Sequence, residues 1–169
     1  MKFFKSSAVA LAVLILVVAA GSVYGLSRKP LEVQYHQWIA DDAGVLTEST
    51  VEMLHSYNQQ WDSRYNAAIA VAAVDSTHGW SGAKYAAMLG KQWGLGQNDM
   101  LLLMIEGKDY QVLYGNSVNS TITDTQESML RRALDSDYYD GDYDQAALKF
   151  FRAADVVFAQ LGQQIKDLG

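Results

Sequence analysis

The residues that could do chemistry in this chain are carboxylates, and they fall in turns. Asp41 and Asp42, Asp75, Asp99 and Asp124 are followed by a run at Asp135, Asp137, Asp140, Asp142 and Asp144. A hard cation such as calcium takes six to eight oxygens from carboxylates and carbonyls, and such loops can supply them. The competing role is local: Asp124 and Asp142 each precede a helical pattern, where a carboxylate accepts backbone N–H bonds as an N-cap. Asp140-Gly141-Asp142-Tyr143-Asp144 opens like a calcium-binding EF-hand loop, but Gln145 stands where that loop needs glycine and Phe151 where it needs glutamate. The EF-hand is therefore rejected.

Other chemistries lack their residues. There is no cysteine, which removes thiolate catalysis and cysteine-built zinc sites. There is no Gly-x-Ser-x-Gly elbow. There is no phosphate loop, and Gly94-Leu95-Gly96 lacks the third glycine of a dinucleotide fingerprint and precedes a strand. His36, His55 and His78 are not spaced as metal ligands, and His55 reads as a helix-flank residue. Asn119-Ser120-Thr121 fits a glycosylation acceptor by pattern alone. Trp38, Trp61, Trp80 and Trp93 are too widely spaced for a sugar platform and read as core and loop-packing residues, with Trp80 partly exposed. Arg131-Arg132 reads as a helix surface, so the acidic turns contain no arginine to steady a phosphoryl group.

The elements that must position the carboxylates follow from periodicity. Met100 to Ile105 is an unbroken apolar run, so it predicts a strand covered on both faces in the middle of a sheet. Glu106-Gly107-Lys108-Asp109 predicts a hairpin turn into a second strand, Tyr110 to Tyr114. Ala67 to Val74 predicts a strand whose carboxyl end leads into the polar loop Asp75 to Gly79, and Tyr35 to Ile39 a short edge strand before a turn at Asp41 to Gly44. Thr47 caps a helix over 50–61 with apolar residues at Val51, Leu54, Tyr57 and Trp61. Ser81 to Trp93 reads as helix, long enough for a parallel crossover between strands. Gly115 to Ile122 reads as a polar loop. Thr123 or Asp124 caps a helix over 125–135, Ser136 to Asp142 is a turn, and Tyr143 to Gln164 is a long last helix. The pattern is α/β: a three-layer α/β/α sandwich with a small mixed β-sheet, preceded by an N-terminal apolar helix.

The chain has 169 residues, half of them apolar, with 13 basic and 19 acidic side chains. Lys2 and Lys5 are the only charged residues before Ser27, so the remainder carries 11 basic against 19 acidic groups, a net charge of −8. That charge argues against a nucleic-acid partner. Residues 1–26 join a short basic start to an apolar run from Ala8 to Ala20 that continues with interruptions to Leu26. Two readings fit: a secretory signal peptide cut after Val18-Ala19-Ala20, and an uncleaved membrane anchor over Ser7 to Leu26, which the length favours. Either one places the domain outside the cytoplasm, membrane-anchored or secreted into the periplasm. Residues 27–35, with the only proline at Pro30, form a linker, and 36–165 form one domain.

In order along the chain stand Asp41-Asp42-Ala43-Gly44-Val45-Leu46, Trp93-Gly94-Leu95-Gly96 before Leu101-Leu102-Leu103, Gly115, Thr123-Asp124, and Tyr138-Tyr139-Asp140-Gly141-Asp142-Tyr143. Taken together these resemble the TPM domain family, which includes a thylakoid-lumen protein once proposed as an acid phosphatase and linked to photosystem II repair, and many bacterial envelope proteins. The resemblance spans about residues 36 to 162. It implies a single α/β/α sandwich, exported or membrane-tethered, acting as a non-enzymatic protein-interaction or membrane-complex maintenance module with a protein partner. The alternative that the resemblance raises is a metal-dependent acid phosphatase. It also implies, in some members, a calcium (Ca2+) site near the acidic turns, which here would draw on Asp41, Asp42, Asp75 and Asp124. The chain departs from the pattern at Asp99-Met100, where Asn-Gly is common, and at Gly115-Asn116-Ser117-Val118-Asn119, which lacks a second glycine and a glutamate.

Overall fold

The computed structural model describes residues 38–167. The leader, the linker and the start of the expected Tyr35–Ile39 strand lie outside the described residues. Among the described residues, no helix is long and apolar enough to cross a membrane.

Four strands form one sheet in the order β1-β2-β3-β4: β1 Ile39–Asp41, β2 Ile69–Val74, β3 Met100–Ile105 and β4 Gln111–Tyr114. The first three are parallel, and β4 returns antiparallel to β3 with Met100 opposite Tyr114. Every residue of β2 and β3 is buried, as the unbroken apolar runs require of strands covered on both faces. Odd-numbered residues of β2 and even-numbered residues of β3 face one layer, which contains helices α1 (Glu48–Tyr65), α4 (Asp124–Tyr139) and α5 (Tyr143–Asp167). The alternate residues face α2 (Gly82–Gln92) through Tyr85, Ala86 and Leu89. The molecule is therefore the expected α/β/α sandwich.

The larger layer is an aromatic core. Trp61 lies 5.2 Å from Phe151 and 5.0 Å from Phe158, centroid to centroid, and its indole N–H donates to Asp155 Oδ1 at 2.7 Å. That bond lets a large ring be buried without stranding its one donor.

Two side chains complete the sheet where a neighbouring strand stops short. β1 pairs only with Val71 to Ala73, so the backbone of Ile69, paired with Met100 on one side, has no strand on the β1 side. Asn58 of α1 fills that place: its Nδ2 donates to Ile69 O at 2.9 Å and its Oδ1 accepts from Ile69 N at 2.8 Å. At the opposite end, β4 pairs with β3 only as far as Leu103. There the Tyr138 hydroxyl donates to Ile105 O and accepts from Ile105 N, both at 2.8 Å. Asn58 thus supplies both partners of Ile69 on that edge, while Tyr138 supplies the acceptor for Ile105 N and a second donor to Ile105 O, which also accepts from Lys108 N at 3.0 Å.

Four sequence expectations change. The edge strand runs to Asp41 rather than ending at Ile39, because its residues pair with Val71, Ala72 and Ala73. The first helix continues four residues past Trp61 and closes at Asn66 in the left-handed conformation (φ 49°). The helix after Thr123 does not end at Asp135 but runs to Tyr139, since Tyr138 is the buried anchor on β3. The Gly115–Ile122 segment is not a loop: Asn116–Thr121 forms a short helix, α3. Its first turn is held from outside, by Gln97 O accepting from Ser117 N at 2.9 Å, and Val118 buries beneath it.

Candidate functional site

Parallel strands β1, β2 and β3 end together, and the loops beyond them make one face. It comprises residues 41–47 after β1, 75–80 after β2, the hairpin 106–110 after β3, and the α4–α5 junction at 139–143. The junction is fixed there by Tyr138 on Ile105 and by Gly107 N donating to the Tyr143 hydroxyl at 3.1 Å. In an open α/β sheet this is where ligands meet the chain.

Asp41 closes β1. Its Oδ1 accepts from Val45 N at 3.1 Å and its Oδ2 from Leu46 N at 2.8 Å, so it shapes the turn that starts α1. Asp42 is exposed, with its backbone N–H donated to Ala73 O at 2.9 Å. Asp75 is exposed at the end of β2. The turn after it has His78 and Gly79 at φ 48° and 82°, with Trp80 N bonded to Thr77 O at 2.9 Å. This is the geometry of a primed turn, with histidine, one of the few non-glycine residues enriched in the left-handed region, at its first central position. Trp80 is half-buried, with the Lys84 ammonium 3.9 Å from its ring centre.

Asp124 stands elsewhere. It follows α3, which is tied to Gln97 at the amino end of β3, and α4 then carries the chain back to Tyr138. Fourteen residues of helix separate Asp124 from Tyr138, roughly 20 Å. The structure thus brings Asp41, Asp42 and Asp75 to one end of the sheet and leaves Asp124 at the other. Asp124 is also not the cap of α4. Thr123 is, through a capping box in which its hydroxyl accepts from Gln126 N while Gln126 Oε1 accepts from Thr123 N. Asp142 does cap α5, accepting from Gln145 N at 3.0 Å. Among the described residues, no three His, Cys, Asp or Glu side chains stand close enough to hold a metal ion together.

Asp140 and Asp142 of the helix junction, already among the acidic turns of the sequence, are exposed on this face, and so are two carboxylates the sequence did not mark as candidates, Glu106 and Asp109 of the hairpin. Asp144 lies just inside. Burial alone would raise its pKa, but hydrogen bonds from the Thr50 hydroxyl and from the Thr47 N–H and hydroxyl outweigh that and hold it below the usual carboxylate value. It joins the first turns of α1 and α5. Tyrosines line the inner side. Burial pushes the Tyr138 phenol up to about 12 despite the Ile105 N–H that favours its anion. Burial and a 2.6 Å bond to Asp135 raise Tyr110 further. Both hydroxyls stay protonated and serve as donors. Tyr139, 61% exposed, places its ring beside Asp109, with its hydroxyl 3.2 Å from Oδ1.

Positive charge near this face is sparse and largely engaged. Lys149 pairs with Asp137 at 2.6 Å, and Lys84 lies over Trp80. Lys108 is exposed at the hairpin tip. Arg131 sits midway along α4, paired with Glu127 at 2.8 Å and 53% exposed, which is the helix-surface role expected of it.

The fold recurs in solved structures. The N-terminal domain of a protein from P. gingivalis superposes with a TM-score of 0.61 at 17% identity, over 73% of this chain and 85% of that one. The N-terminal domain of the cg2496 protein from Corynebacterium glutamicum gives 0.60 at 17%, over 78% and 86%. The BA42 protein from the psychrophilic bacterium Bizionia argentinensis gives 0.61 at 15%, over 69% and 83%. At these identities the likeness is one of fold. No curated protein matches the chain. The family model described as "TPM domain" matches residues 39–157, from the first residue of β1 into the last helix, and the chain therefore belongs to the TPM domain family.

Proposed function

We propose that this TPM domain is a non-enzymatic protein-interaction module, held outside the cytoplasm by its N-terminal segment. On this reading it docks a basic region of a partner protein on the carboxyl-end face, with a divalent cation as a weak accessory. The observation that supports the reading is the distribution of charge on that face. Asp42, Asp75, Glu106, Asp109, Asp140 and Asp142 are all exposed there and come from four separate segments, against the exposed ammonium of Lys108. Facing charges of opposite sign steer encounter and fix register, and exposed Tyr139 adds an aromatic surface of the kind enriched at interfaces. A phosphatase would need cationic groups aimed at the reacting phosphate, whereas Lys149 and Arg131 are paired with carboxylates.

The test is photo-crosslinking in the native host, with the crosslinker placed in the full chain at Asp75, at Asp109 and, as the opposite-end control, at Lys91. The expected result is one discrete adduct from Asp75 and Asp109, none from Lys91, and loss of the adduct when Asp42 and Asp140 are both changed to Lys. Equal adducts from both ends would sink the proposal. So would turnover of p-nitrophenyl phosphate in calcium or magnesium that disappears in Asp41→Asn.

A further inference from the structure

β1 ends the sheet, and the peptide groups on its outer side have no strand beside them among the described residues. Val71 N donates to Trp38 O at 2.7 Å, and Asp42 N donates to Ala73 O at 2.9 Å, so residues 38 and 42 turn their peptide groups towards β2. Successive residues of a strand turn these groups to opposite sides. Ala40 therefore also faces β2, and the N–H and C=O of Ile39 and Asp41 face outward.

A helix flank overhangs this edge. Asn58 of α1 reaches Ile69 in line with β1, so α1 runs above that side of the sheet. One flank of α1 is against α5, where Tyr57 and Trp61 lie 6.0 and 5.2 Å from Phe151, centroid to centroid. Helical spacing places Glu48, Glu52 and Asp62 on the flank away from α5. All three are exposed, and among the described residues none is in an ion pair. Arg64, the only Lys or Arg of α1, stands three residues after Trp61 and so on the α5 side. Asp42, exposed just past β1, continues the negative charge to the acidic face. The opposite edge differs. Gly115 N donates to Asp99 O at 2.8 Å, so by the same alternation Val112 and Tyr114 face outward from β4. The charges beside Tyr114, Glu127 and Arg131, are already paired with each other at 2.8 Å.

We infer that the outer edge of β1 takes an extended segment of the partner protein as a fifth strand, with lysine or arginine at alternate positions beneath the α1 flank. This rests on the docking reading above and gives the basic region its conformation. An added strand brings the donors and acceptors that Ile39 and Asp41 lack. Its alternate side chains stand about 7 Å apart on one face, so three of them span about 13 Å. Glu52 and Asp62 are ten residues of helix apart, about 15 Å. Cations on that face of the strand meet carboxylates with no competing cation from α1. Two outward residues offer at most four backbone bonds, so the strand binds weakly and reversibly.

The test is NMR of the ¹⁵N-labelled full chain in a zwitterionic detergent. The probe is a capped peptide of about seven residues, alternating lysine and valine, added to about 5 mM. Its controls are the glutamate–valine peptide and two analogues, N-methylated at every lysine or at every valine. The lysine peptide should give saturable shifts along β1 and slow hydrogen exchange at Ile39 and Asp41 about tenfold. The glutamate peptide should not bind. One methylated analogue should lose binding and the other keep it, because only one set of its amides faces β1. Glu52→Lys combined with Asp62→Lys should weaken the lysine peptide about tenfold while leaving the urea midpoint of the chain in place. No saturation, equal binding of both methylated analogues, or protection at Val112 and Tyr114 in place of Ile39 and Asp41 would overturn the inference. The two readings fail separately: a crosslinked adduct from Asp75 with no protection of Ile39 by the peptide removes the added strand and leaves partner docking standing.

Discussion

The two ends of the sheet use the same residue types for opposite ends. At the amino end, Asp99 has both carboxylate oxygens committed to backbone N–H groups and Asn58 has both carboxamide atoms committed to Ile69. At the carboxyl end, Asp42 and Asp75 project into solvent. The first arrangement is spent on holding the fold, and the second leaves charge free to act on something else. The contrast teaches that an acidic residue in a turn is informative only once its oxygens are accounted for. Asp41 shows this most directly: it lies on the exposed face, yet both its oxygens belong to the turn that starts α1.

The comparison can be broken hardest at the amino end. Gly115 passes so close to the loop before β3 that an added Cβ would meet Gly96 O at 2.3 Å and Gln97 O at 2.4 Å. Both obstacles are backbone, so neither can turn aside. Gly115→Ala is expected to lower unfolding free energy by more than about 3 kcal/mol, above the usual cost of overpacking, read as a shifted urea midpoint with unchanged slope. Asn58→Leu comes next. It approximates the volume but strands the buried N–H and C=O of Ile69, for about 2–4 kcal/mol. Asn58→Asp, which keeps an acceptor for Ile69 N but loses the donor to Ile69 O, should not rescue it. If either variant melts like the parent chain, the amino end is not the rigid half of the molecule.

How much of this could be read from the sequence depends on where each signal resides. β3 was legible because six apolar residues in a row have one economical placement, and the Thr47 cap was legible because capping is local. The α3 helix was not. Asn-Ser-Val-Asn-Ser-Thr has poor intrinsic helix preference, and its first turn depends on Gln97, some twenty residues back. The roles of Asn58 and Tyr138 were hidden for a different reason. Asn58 interrupts the apolar stripe of α1, and nothing nearby says that β1 will be too short to reach Ile69. The candidate carboxylates were named as one group of four, but chain topology alone decides that Asp124 begins a helix at the far end from Asp41, Asp42 and Asp75.

A smaller effect is expected from acid. The folded pKa of Asp144 is depressed, so its contribution to stability is full above the ordinary aspartate value, near 4, and is lost as pH falls through the lower folded value. Asp144→Asn should therefore flatten part of the stability loss that begins below about pH 4, and the two chains should converge as pH falls through the lowered folded value. Thermal melts of both chains across that range would show it. A parallel pair of curves would mean that the Thr47–Asp144 link between α1 and α5 contributes nothing.

The smallest stability effect belongs to the exposed face, and it separates the two ends most sharply. Asp42→Asn and Asp75→Asn remove solvated charges without stranding a buried group, so each should move stability by less than about 0.5 kcal/mol. Calcium titration of the same variants asks whether those charges act together. If a cation is held at the carboxyl end, both substitutions weaken it and Asp124→Asn does not, because roughly 20 Å of helix separates Asp124 from that face. Calorimetry of the full chain and the three variants distinguishes the cases. Binding lost in Asp124→Asn would contradict the topology that places it apart. Weak binding that declines equally with every removed charge, Asp124 included, would identify a diffuse counterion atmosphere, which salt at physiological strength should screen.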